Sequence, residues 1–421
     1  MRGRSLLPRI GRYSHGNLQT KTCSQRLPLG VSQQYIHHNT CKRPSLCHNK
    51  NELRLRANQQ LRTFLTESIP PILYPPAIFV GLLLGLWTWK CFWIIVMQNK
   101  LLYLSWLPPF SRSDKIAEYE AECKPVHWEE KQIHSLDGTK LAVCEGYIPT
   151  KDSQKPVVTG KKTKSVVICY FQGNGGSTPL RLPLLSQVLR TISTMSKTTS
   201  STSSSSHQTR FTIVALSYRG YWTSSGRATQ SGIKLDAQAF LKWVSETYSS
   251  PETDLQVILW GHSLGSSVAC SALPTYLTQR ETQQSTNDAK LAPISGVIME
   301  APTSSIKDML ISLYPQRWLP YRYLWPFSWN TWCNATNLER LGEWRDENSD
   351  ASQSIPPIFI LSAEKDEVIP PYVAGQLERR GQDLGLDISM KEVSGAMHTD
   401  GPMKVDGREA LVRFILEKTS K

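Results

Sequence analysis

Residues 257–268 read VILWGHSLGSSV. An apolar run ends in Gly261-His262-Ser263-Leu264-Gly265, and small residues follow. The run LQVILW (255–260) has the length of a strand, and SSVACSAL (266–273) suits a helix. Glycine-x-serine-x-glycine between a strand and a helix marks a sharp, strained turn that lifts a serine hydroxyl off the edge of a sheet. Glycine is needed two residues before and two after, because backbone approaches closely there.

Working outward, further apolar runs of strand length appear: SVVICYF (165–171), FTIVALSY (211–218), SGVIME (295–300) and PPIFILS (356–362). Their near-continuous apolarity suits strands buried on both faces of a parallel sheet. The gaps are long enough for crossover helices. Gly232–Tyr248, with Ile233, Leu235, Ala237, Phe240, Leu241 and Val244, is one. Before them, HWEEKQIHSLDGTKLAVCEGYIP (127–149) alternates around Asp137-Gly138 and predicts a hairpin. The expected fold class is α/β, with a mainly parallel sheet flanked by helices.

A nucleophilic serine needs a base, and in this arrangement the order is serine, acid, histidine. Of nine histidines only His398 follows Ser263, in VSGAMHTD after the expected strand DISMKEV. The acid belongs at the end of a strand between the two, where IFILSAEKDEVIPP offers Glu364, Asp366 and Glu367. Asp366 is chosen because it follows the strand by a short turn. Two backbone N–H donors must hold a developing oxyanion. Leu264 supplies one, and Asn174, in the glycine-rich loop CYFQGNGGS (169–177), supplies the other. That loop is neither of the usual phosphate-binding glycine patterns, and no metal-ligand spacing occurs. No cofactor and no metal are expected.

The formal net charge is +13, but residues 1–70 hold twelve Lys/Arg against Glu52 and Glu67 and so account for +10 of it. The nearly balanced remainder offers no nucleic-acid surface. The first fifty residues contain no acid and are rich in Arg and Ser, which suits a transit peptide or a disordered basic tail. Segment 77–97, AIFVGLLLGLWTWKCFWIIVM, has one charge, Lys90, and the length of a transmembrane helix. Trp87, Trp89 and Trp93 suit a membrane interface. The basic upstream flank places the large C-terminal part on the far side of a mitochondrial or endoplasmic reticulum membrane. In a lumenal domain Asn334-Ala335-Thr336 would be a glycosylation acceptor. Most of the nine scattered cysteines read as small buried hydrophobes, with one bridge open to a domain that faces an oxidising lumen. Residues 191–210, TISTMSKTTSSTSSSSHQTR, read as a disordered surface loop. Residues 304–354 carry Tyr314, Trp318, Tyr321, Tyr323, Trp325, Phe327, Trp329 and Trp332, which suggests a cap with an apolar inner face or a surface that meets lipid.

From about residue 98 onward the chain resembles the membrane-anchored abhydrolase-domain serine hydrolases of the α/β-hydrolase superfamily. The matching stretches are QNKLLYLSWLPP, FQGNGG, SYRGYWTSSGRATQSGIKLDAQAFLKW, GHSLGSSVA, MEAPTSSIKDML with YPQRWLPYRYLW, SAEKDEVIPP and GAMHTD. The resemblance implies a Ser263-Asp366-His398 triad with an oxyanion site at Asn174 and Leu264. It also implies hydrolysis of acyl esters or thioesters, with membrane lipid and an acyl-chain substrate as partners: lysophospholipids, monoacylglycerols or palmitoylated proteins. A non-catalytic anchored relative of the same fold is the alternative. Two positions depart from the family: Gln172 stands where it has His, and Trp222 where it has Gly. Tyr221 and Trp222, in the loop that borders the family's pocket, and Trp318 and Trp325, in the aromatic stretch, are candidate pocket residues.

Overall fold

The computed structural model describes residues 70–149, 163–200, 209–286, 291–348 and 354–420. The chain divides into two units at Tyr74/Pro75. The basic segment 1–69, which carries the transit-peptide reading, lies outside the described residues.

Eight strands form one sheet: β1 His127–His134, β2 Lys140–Tyr147, β3 Thr163–Phe171, β4 Arg210–Ser217, β5 Thr253–His262, β6 Ile294–Glu300, β7 Ile358–Ala363 and β8 Ile388–Val393. Their order is β1-β2-β4-β3-β5-β6-β7-β8. The two pairings at the β1 edge are antiparallel, and the other five are parallel. The expected hairpin is β1–β2, turned at Asp137-Gly138 with Gly138 at φ 81°. Side chains alternate across a strand, so a strand covered on both faces must be apolar throughout. In β3, Val167, Cys169 and Phe171 enter the core on one face, while Val166, Ile168 and Tyr170 enter the core on the other.

The helices are α1 Tyr74–Val96, α2 Leu182–Ser200, α3 Gln230–Tyr248, α4 Leu264–Thr286, α5 Ile306–Leu313, α6 Asn334–Glu347, α7 Tyr372–Asp383 and α8 Val405–Thr419. Buried residues of α3, α4, α6 and α7 join the first core, and those of α2 and α8 the second. Thr229 caps α3, its hydroxyl accepting from Gly232 N–H at 3.2 Å. Two sequence expectations change here. Residues 191–200 are not a loop but the second half of α2, whose Leu185, Val188, Leu189 and Ile192 are buried. The Ser/Thr content hides this amphipathic face, and hydroxyls such as Thr191 and Thr194 donate to carbonyls four residues back. Residues 201–208 lie outside the described residues. Asn334 is no glycosylation site on the folded domain. It is fully buried, and its amide donates to Ser266 Oγ and Thr303 O.

Among the described residues one helical stretch, Pro71–Val96, is long and apolar enough to cross a membrane, with mean hydropathy 1.8. The expected span 77–97 coincides with α1 to within a residue at its C-terminal end. Cys123, Cys144, Cys169 and Cys270 are buried and free, as their scatter predicted.

Candidate active site

The parallel strands end together at one edge, and the candidate residues leave from those ends. Ser263 follows β5 directly, in the left-handed region at φ 51°. Its N–H donates to the carbonyl of Glu300, the last residue of β6, at 2.8 Å. A β-carbon on Gly265 would lie 2.0 Å from the Phe171 carbonyl oxygen, and one on Gly261 would lie 2.3 Å from the Gly265 carbonyl oxygen. Both glycines of the pentapeptide are therefore required by backbone contact. Leu264 opens α4, whose first N–H groups point at the turn.

His398 lies in the loop after β8. Its Nδ1 is 2.8 Å from Asp366 Oδ2, and Asp366 Oδ1 accepts from the N–H groups of Val368 and Ile369. Of the three acids after β7, Asp366 is thus the one that meets the imidazole. The other two hold the same loop by its backbone. Glu364 accepts from Gly395 N–H and the Ser394 hydroxyl, and Glu367 accepts from His398 N–H at 3.0 Å. The Gly395 amide and the Ser394 hydroxyl hold the Glu364 carboxyl below its ordinary value. Among the described residues, neither Ser263 Oγ nor His398 Nε2 has a hydrogen-bond partner, so these two atoms are not joined. Such contacts commonly tighten only when substrate binds.

A second group lies behind the turn. His262 Nε2 is 3.2 Å from the His398 carbonyl oxygen and 3.8 Å from Glu300 Oε1. Both neighbours are acceptors, so Nε2 carries the proton. Burial, with help from Arg181 and His398, pushes the His262 pKa well below its usual value and keeps the ring neutral. Glu300 also accepts from Trp260 Nε1 and Arg181 Nη2, and burial raises its pKa despite the guanidinium. Arg181 donates further to the Tyr170 hydroxyl and the Thr399 carbonyl. Sequence reasoning missed Glu300 and Arg181. The available signal was an acid ending an otherwise apolar strand, which must find a buried partner.

Asn174 sits in the loop after β3, and its carbonyl accepts from Leu104 N–H (2.7 Å) and the Tyr221 hydroxyl (2.9 Å). Gly173 packs on His262, where a β-carbon would lie 2.8 Å from Nδ1. Gln172 is buried. Its Oε1 accepts from the Thr178 hydroxyl and its backbone carbonyl from the Tyr218 hydroxyl. Tyr221 is buried behind this loop. Trp222 is also buried, at φ 39°, and belongs to the core on the α2 side of the sheet. Its indole donates to Asp114 O, so the ring pins the 111–115 segment and does not line an open pocket. Trp318 and Trp325 are 67% and 42% exposed, on the outside of the 304–348 region. Among the described residues, no group of three or more His, Cys, Asp or Glu could hold a metal ion.

No family model matches the chain. Curated proteins do. Protein bem46 of Schizosaccharomyces pombe is 24% identical over 274 residues, covering 65% of this chain and 71% of that protein. The alpha/beta hydrolase domain-containing protein WAV2 of Arabidopsis thaliana is 24% identical over 310 residues, covering 73% and 83%. The chain is similar to alpha/beta hydrolase domain proteins, which supports a serine ester hydrolase. The hydrolase also matches a lysophosphatidylserine lipase, ABHD12, of Danio rerio, 30% identical over 158 residues, or 38% of this chain and 36% of that protein. It thus spans well under half the length of that lipase. Among solved structures, an esterase of Pyrococcus furiosus aligns with a TM-score of 0.44 at 15% identity, covering 69% of this chain and 91% of that one.

Proposed function

We propose that the protein is a membrane-tethered serine hydrolase that cleaves acyl esters or thioesters of lipid-like substrates, with lysophospholipids and monoacylglycerols foremost. The observation that carries this reading is the strained Ser263 on its turn, with Asp366 fastened to His398 Nδ1 at the same sheet edge. Ser263 Oγ attacks the acyl carbonyl, and His398 Nε2 accepts its proton. Asp366 fixes the imidazole tautomer and stabilises the imidazolium. The Leu264 and Asn174 N–H groups hold the oxyanion. When the tetrahedral intermediate collapses, His398 returns the proton to the departing alcohol or thiol. Water, deprotonated by the same imidazole, then releases the acyl group as a fatty acid. α1 supports the tether, and the lipase relative supports the substrate class.

A fluorophosphonate probe is expected to label the wild-type protein and not Ser263→Ala. Asp366→Asn should fold and label at least about a hundredfold more slowly, because the wrong imidazole tautomer is favoured. Equal labelling of wild type and Ser263→Ala would overturn the reading. Hydrolysis of lysophosphatidylserine, monoacylglycerol and palmitoyl-thioester substrates, compared side by side, separates the lipase from the thioesterase.

A further inference from the structure

α1 does not stand clear of the domain. Between Gly81 and Trp93 its half-covered residues are Leu83, Trp87 and Cys91, four apart, which is one face of a helix. Three contacts then run down the chain in step with the aromatic stretch. The Trp87 and Trp318 rings have centroids 5.9 Å apart. Lys90 Nζ lies 4.2 Å from the Tyr321 ring centroid and 5.9 Å from that of Tyr314, within cation–π range. Gln98, just past the helix, donates to Phe327 O and accepts from Trp329 N–H. Residues 318–329 therefore lie alongside residues 87–98, in the same direction, over about 16 Å.

That parallel course has a consequence for depth. About twenty helical residues cross the hydrocarbon layer of a bilayer. The apolar stretch Pro71–Val96 has 26 residues, more than a crossing needs, so a crossing that begins at Pro71 rather than at residue 77 ends near Lys90. Trp318 is level with Trp87 and so cannot lie deep in water while Trp87 lies in lipid. The surface here has the composition of an interface. Trp318, Tyr323, Phe327 and Trp329 are each more than half exposed. Residues 304–332 also carry Lys307, Arg317 and Arg322 against Asp308 alone, suited to phosphate headgroups.

Resting on the anchor reading above, we propose that the 318–329 rim is a membrane-interface element, seated in the headgroup layer of the leaflet from which α1 emerges. Lys90 stands at the boundary under Tyr321, which accounts for a charge that is otherwise costly in an apolar span. The hydrolase domain is then held against the bilayer by its cap, not suspended from a loose tether. The chain between them is also fastened. Tyr103 donates its hydroxyl to Asn330 and accepts from Trp332 Nε1, while Leu104 N–H donates to Asn174 O in the oxyanion loop.

The test places p-benzoylphenylalanine, one site at a time, in the full-length protein reconstituted into phosphatidylcholine–phosphatidylserine vesicles. The sites are Leu82 in α1, Trp318, Trp325 and Trp329 in the rim, and Glu252, exposed at the N-terminal end of β5. Each variant must retain fluorophosphonate labelling as evidence of folding. After irradiation, lipid adducts at 318, 325 and 329 are expected at least about fivefold above Glu252 and comparable to Leu82. Adducts at Leu82 with background at all three rim sites overturn the proposal and leave the anchor standing. Background at Leu82 as well overturns both. A protein adduct at the rim in place of lipid also overturns it.

Discussion

At the residue scale, the pentapeptide is specified by backbone atoms. Gly265 has no room for a β-carbon because the Phe171 carbonyl occupies the place. Neither atom can give way, since Phe171 closes β3 beside β5 and Gly265 lies in the first turn of α4. Gly265→Ala is therefore expected to lower the melting temperature by roughly 10 °C, or to prevent folding, as a severe backbone clash does. A thermal melt of the detergent-solubilised protein checks it, and an unchanged melting temperature would contradict the close packing. Trp222 teaches the opposite lesson. The family resemblance made it a pocket candidate, yet burial and the indole bond to Asp114 O give it a packing role. A tryptophan's letter does not say on which side of a turn its ring will lie, particularly at a positive φ.

At the element scale, every expected strand is present: the central strands, buried on both faces, leave continuous apolar runs, and the β1–β2 hairpin shows by its alternation around Asp137-Gly138. The pairing of His398 with a strand-end acid was legible from order alone. The acid was not fully so: three carboxylates crowd into four positions, and only the fold distributes them among the imidazole, the His398 amide and the Gly395 amide. The second half of α2 was illegible because its buried face is sparse among serines and threonines. The loop carrying the histidine has a pH signature of its own. The Glu364 carboxylate is held below its ordinary value by Gly395 and Ser394. A lowered folded-state pKa adds stability that is present above the unfolded value, near 4.3, and is lost as the pH falls through the folded one. Glu364→Gln should therefore melt lower than wild type at pH 7, and the gap should close below about pH 4. A gap that stays constant across that range would break the assignment.

At the scale of the whole molecule, the apolar helix α1, the aromatic stretch 318–332 and the glycine-rich loop after β3 form one connected piece. The Leu104–Asn174 hydrogen bond joins the chain just below α1 to the backbone proposed to hold the oxyanion. None of these cross-contacts is visible in the sequence, where the aromatic stretch and the anchor are separated by more than two hundred residues. With α1 spanning and the 318–329 rim seated as proposed, the reaction site stands at a fixed height over the bilayer, and a lipid substrate reaches it by moving sideways in the leaflet. Encounter becomes a two-dimensional search. The rate should follow the mole fraction of substrate in the membrane and stay flat when vesicles of constant composition are added in excess. Dilution of substrate with inert phospholipid, at constant bulk concentration, should slow turnover in proportion.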